Sequence, residues 1–108
     1  MTNKQKITSR VGTIELLLGL AEESAELTQA ALKLRRVFDG NSPTPKTEEE
    51  CINNLYEEIA DTLLFIDVLQ INMSYIEQIK EQKADRWIAR LDNDKCSSEN
   101  PGYVDRPL

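Results

Sequence analysis

Two short runs of acids, Glu22-Glu23-Ser24-Ala25-Glu26 and Glu57-Glu58-Ile59-Ala60-Asp61, hold the residues of this 108-residue chain best suited to chemistry. In each run, acids recur at i and i+3 (Glu23 with Glu26, Glu58 with Asp61), which puts both carboxylates on one face of a helix. Glu23 falls within the stripe Leu16, Leu20, Leu27, Ala30, Leu34, and Glu58 within Leu55, Thr62, Phe65, Leu69. Periodicity would give both positions to apolar residues. Taking a carboxylate out of water is costly unless it is paired or bound to a cation. Inward acids on two helices would also repel one another. Their partners must therefore be a metal ion or basic side chains. The bland alternative, a solvated acidic face, fits Glu15, Glu48, Glu49, Glu77 and Glu81 better.

Ligand type narrows the metal. The chain contains no histidine, and Cys51 and Cys96 are too few and too far apart for a zinc site. Hard oxygen donors suit Mg²⁺, Mn²⁺ or Ca²⁺, and no twelve-residue calcium loop is present. A di-iron bundle would use Glu-x-x-His pairs, which are missing here. Mg²⁺ keeps part of its water shell and commonly binds substrate phosphates, so the implied ligand is a phosphorylated small molecule. Glu22 or Glu57, beside the metal, could orient or deprotonate an attacking water.

Further along, Lys83, Arg86 and Arg90 recur at i, i+3 and i+7, with Lys80 one turn earlier. They share a face that suits phosphate, although snorkelling lysine and surface charge would give the same pattern. Trp87, the single tryptophan, reads as core or subunit interface before base-stacking platform.

These residues need helices to hold them. Helix formers dominate and β-branched runs are scarce, so an all-α chain is expected. Residues 1–9 are polar and read as frayed. A first long helix is predicted from about Val11 to Val37, ended by Asp39-Gly40-Asn41-Ser42-Pro43-Thr44-Pro45. Thr47 caps the next, with Glu50 completing a capping-box pattern, and that helix reaches about Gln70. A third starts at Asn72 or Ser74 and ends near Leu91 or Asp94. The division is a single domain over 1–95 and an irregular tail over 96–108. The first helix carries a second apolar stripe, Ile14, Leu18, Ala21, Ala25, Leu32, where a surface helix needs only one. Three main helices per chain, completed to a four-helix-like bundle by homo-oligomerisation, is the expected architecture.

A net charge of -6 argues against a nucleic-acid polymer as main partner. No apolar run is long enough to span a membrane, and two cysteines suit a reducing cytoplasm.

The assembled residues resemble the MazG-like branch of the all-α nucleoside triphosphate pyrophosphohydrolases. That family carries E-E-x-x-E on one helix and E-x-x-D on the next, matched here by Glu22-Glu23-Ser24-Ala25-Glu26 and Glu58-Ile59-Ala60-Asp61. Lys83-Ala84-Asp85-Arg86 with Arg90 is similar, more loosely, to its basic third segment. The resemblance covers roughly residues 14–91. It implies that Glu23, Glu26, Glu58 and Asp61 ligate Mg²⁺ (Mn²⁺ as a substitute), that Glu22 assists a metal or the water, and that Lys83 and Arg86 contact phosphates. It implies hydrolysis between the α and β phosphates, giving nucleoside monophosphate and pyrophosphate, by a homodimer or dimer of dimers. The chain departs from the family in a slightly longer separation of the motifs, residues 27–57, and in lacking the Asn that often follows the Lys, Asp85 being the nearest polar residue. The competing expectations are a narrow specificity such as dUTP or dCTP on the same fold, and a non-catalytic helical module that binds nucleotide, metal or a partner helix.

Overall fold

The computed structural model describes residues 1–40, 46–94 and 108. Those residues form four α-helices and no strand: α1 (Asn3–Arg10), α2 (Thr13–Asp39), α3 (Glu48–Val68) and α4 (Met73–Asn93). The expected all-α class holds. Residues 96–107 of the expected irregular tail and the segment 41–45 lie outside the described residues. The contacts divide the chain into two compact units, one running from Met1 to Ile71 and one starting at Asn72.

Local sequence accounts for most helix ends. Thr47 accepts the Glu50 N–H and donates its hydroxyl to the Glu50 carboxylate (3.1 and 3.2 Å), so the two residues predicted to start α3 do so. Asn72, one of the two predicted starts of the last helix, caps α4 by accepting the Tyr75 N–H at 3.1 Å. Gly40 closes α2 at φ 72°, where its N–H donates to the Arg36 carbonyl. The α3 helix stops at Val68, before the expected Gln70, because Gln70 itself turns to φ 56°.

The amino terminus corrects the expectation of a frayed segment. Thr2 accepts the Gln5 N–H and the Gln5 side chain receives the Thr2 N–H, a complete capping box that opens α1. The spacing Thr2-Asn3-Lys4-Gln5 is its sequence signature. Eight residues are too few for a stable isolated helix. Tertiary bonds to α3 supply the rest: Lys4 pairs with Asp67, and Thr8 donates to the Val68 carbonyl, each at 2.8 Å.

The core lies between α2 and α3, which run antiparallel. Ala30 and Leu34 of α2 cluster with Cys51 and Leu55 of α3, and Leu27, Ile52 and Ile59 pack around them. Further from the connection, Glu23 and Glu26 stand beside Glu58, and then Gly19 beside Phe65. Chain order is thus reversed between the two helices. Each fully buried leucine at such a seam contributes about 1.5–3 kcal/mol. Cys51, a free thiol, packs here as a small apolar residue. Of the two stripes on α2, the one through Leu16, Ala30 and Leu34 is buried, and the one through Ile14, Leu18 and Leu32 is exposed. No described helix is long and apolar enough to cross a membrane.

Candidate metal centre

The antiparallel pairing of α2 and α3 sets the two acidic runs at one level. Glu23 and Glu26, one turn apart on α2, meet Glu58 on α3, and one carboxylate oxygen from each lies within 4.8 Å of the others. Glu23 and Glu58 are half-buried, whereas Glu26 is exposed. Thr62, buried one turn after Glu58, turns its hydroxyl back to the Glu58 carbonyl at 2.9 Å. It fills the seam without offering the acids a donor.

The electrostatics are unbalanced. Glu23 Oε2 and Glu58 Oε2 are buried with no hydrogen-bond partner. Burial pushes the Glu23 carboxyl above the ordinary value of 4.5. The charge of Glu26, a contact with Glu26 that becomes a hydrogen bond only when a proton lies between them, and the charges of Asp61 and Glu58 push it further. Glu58 is raised for the same reasons in the same order: burial, then Glu26, then the charges of Asp61 and Glu57. No lysine or arginine among the described residues pairs with Glu23, Glu26, Glu58 or Asp61. Of the two partners expected for these acids, basic side chains are therefore not found among the described residues.

A divalent cation fits this donor set. Hard oxygens, two of them orphaned and buried, meet the preference of Mg²⁺ or Mn²⁺. Oxygens on opposite sides of one Mg²⁺ stand about 4.2 Å apart, so small side-chain adjustments bring all three acids to one ion. Glu23, Glu26 and Glu58 would hold it, with waters or substrate completing the shell.

The remaining predicted site residues fall in different places. Asp61 is exposed and outside the three-carboxylate group, yet near enough to act on both Glu23 and Glu58. Glu22 and Glu57 are exposed neighbours of the ligand set. Lys83 and Arg86 are exposed on α4, where with Trp87, Ala89 and Arg90 they line an open cavity of about 680 Å³. Trp87 is 63% exposed, so within this chain it is not core. One turn outside the acids lie Gly19, which residue type alone does not mark, and Phe65, which the sequence marks only as a member of the inward stripe of α3. The signal for them was a glycine inside a long helical pattern.

No protein-family model matches this chain, and neither curated proteins nor solved structures give a match.

Proposed function

We propose that this chain is a Mg²⁺-dependent nucleoside triphosphate pyrophosphohydrolase of the MazG-like kind, serving to clear non-standard or surplus nucleotides from the cytoplasmic pool. The observation that carries the reading is the meeting of Glu23, Glu26 and Glu58 from two helices with two buried oxygens left unpartnered. An acidic cluster with no basic partner among the described residues and two oxygens shut off from solvent is an expensive way to build a helix seam, and cation binding gives it a purpose.

In this reading Glu23, Glu26 and Glu58 hold the ion, with Asp61 at its edge. Bound there, Mg²⁺ would neutralise charge on the polyphosphate and make water a better nucleophile. Water attacks the α phosphorus, its proton passes to the carboxylate of Glu22 or Glu57, and the bond from that phosphorus to the α–β bridging oxygen breaks. The leaving pyrophosphate takes the bridging oxygen with its electron pair. Lys83 and Arg86 are the phosphate contacts that the resemblance implies, and their charge would offset that of the leaving group. The exposed stripe Ile14, Leu18, Leu32, with Leu63 and Leu64 exposed on α3, supports a homodimer or dimer of dimers that covers it.

The test is a panel of canonical and modified nucleoside triphosphates incubated with the chain in Mg²⁺ and then in EDTA. Monophosphate plus pyrophosphate in Mg²⁺ alone, lost in Glu58→Gln, is expected. Diphosphate plus phosphate, or turnover that survives EDTA, would count against it. Mg²⁺-dependent nucleotide binding with no product would leave the non-catalytic module as the better reading.

A further inference from the structure

We infer that the contact between Gly19 and Phe65 positions the acidic centre by fixing how closely α2 and α3 approach beside it; the inference rests on the metal-site reading above. A Cβ placed on Gly19 would stand 2.2 Å from Phe65 Cε1, 2.5 Å from Cζ and 3.0 Å from Cδ1. No side chain fits there unless the ring or the helix moves. The phenyl ring therefore rests on bare α2 backbone.

Gly19 sits in the interior of a 27-residue helix, where glycine is a poorer helix former than alanine. Its φ does not demand glycine, since the positive φ values among the described residues belong to Gly40 and Gln70. Space, not backbone conformation, is what the position requires. The register then connects the contact to the acids. Gly19 lies four residues before Glu23, and Phe65 lies four after Asp61 and seven after Glu58. On each helix the contact is one or two turns from a carboxylate on the same face. Close-packed seams transmit displacement rather than absorb it. A change in helix separation at Gly19 thus changes the spread of Glu23, Glu26 and Glu58, and a metal site tolerates only small changes in that spread. Phe65 and Gly19 are positioning residues; neither would touch the ion or the substrate.

The experiment is a double-mutant cycle on the full chain, with Mn²⁺ alone as the probe, its affinity read by electron paramagnetic resonance and the fold by circular dichroism. Gly19→Ala is expected to weaken Mn²⁺ binding about tenfold while the helical spectrum persists. Phe65→Leu, which removes ring volume over a bare backbone, is expected to weaken it as well. In the double variant the added methyl occupies the volume the ring has vacated, and affinity returns to within about threefold of the starting chain. Packing that served stability alone would shift the melting temperature and leave the Mn²⁺ affinity of folded protein unchanged, which overturns the inference. So does a double variant no better than its parents. If Gly19→Ala does not fold, Phe65→Leu on native Gly19 decides: unchanged Mn²⁺ affinity overturns the inference, and weakened affinity supports it. Absence of Mn²⁺ binding by the unaltered chain refutes the metal reading itself and the inference with it. Equal binding by the unaltered chain and Gly19→Ala refutes the positioning role alone.

Discussion

Two layers of the same helix pair bury different things. Near the connection, Ala30, Leu34, Cys51 and Leu55 interlock as a dry cluster with no polar side chain among them. Two turns further on, Glu23, Glu26 and Glu58 meet at one level, with two buried oxygens unpartnered. The first layer gains from every atom it removes from water. The second gains nothing from its own contacts, because burial and mutual repulsion both act against the ionised acids. The helix pair is held together at one level so that an unfavourable arrangement can persist at the next. Such local conflict inside an otherwise consistent fold is where function is best sought.

The comparison breaks most visibly at Leu34, which is 3% exposed. Leu34→Ala is expected to destabilise the chain by about 2–5 kcal/mol, read by thermal or urea unfolding. Mn²⁺ affinity of the fraction still folded should change little.

Metal and pH sharpen the contrast at the acidic layer. Mg²⁺ at a hundredfold excess over its dissociation constant should stabilise the chain by about 2.7 kcal/mol, and EDTA should reverse the shift. In EDTA the sign of the pH effect follows from the raised values of Glu23 and Glu58. Between the ordinary value of 4.5 and their raised values, the folded chain binds more protons than the unfolded one. Their contribution to stability is therefore greatest below 4.5 and is lost as pH rises through the raised values. Metal-free melting temperature should climb as pH is lowered from neutral toward that range. With Mg²⁺ present the trend should flatten or reverse, since binding needs ionised ligands. A metal-free chain whose stability falls on the same descent would contradict the electrostatic picture.

The smallest effect is expected outside both layers. Trp87→Ala on α4 should alter the unfolding free energy by less than about 0.5 kcal/mol in dilute solution, because the ring is largely in water. A larger loss that grows with protein concentration would show a second copy covering it.

Much of the helix pair was legible in residue order. The turn signals at Thr47 and Asn72 marked helix starts because each supplies a side-chain acceptor to an otherwise unpaired N–H. The stripe Leu55, Glu58, Thr62, Phe65 is the inward face of α3 and runs on into its cap Leu69, each member buried or half-buried. Periodicity could not rank the two apolar stripes of α2, since both satisfy the same repeat and only the partner helix selects one. Spacing puts Glu23, Glu26, Glu58 and Asp61 together as one inward set, and only the rotation of α3 in the fold leaves Asp61 outside the group formed by the other three. Polar composition hides the amino-terminal helix, whose local signal is the Thr2–Gln5 spacing. The role proposed for Gly19 could not be read from chemistry, because what matters there is an absent side chain.

The docking of α1 on the end of α3 also bears on how the molecule moves. The last turn of α3 has no basic residue of its own to meet its carbonyl end. Lys4 brings a cation there from another helix, and Thr8 takes the Val68 carbonyl that the helix leaves over. Both contacts tie α1 to the final turn of α3, so the two segments are expected to open together. Hydrogen exchange should show their amides opening together, and added salt, by screening the Lys4–Asp67 pair, should quicken both.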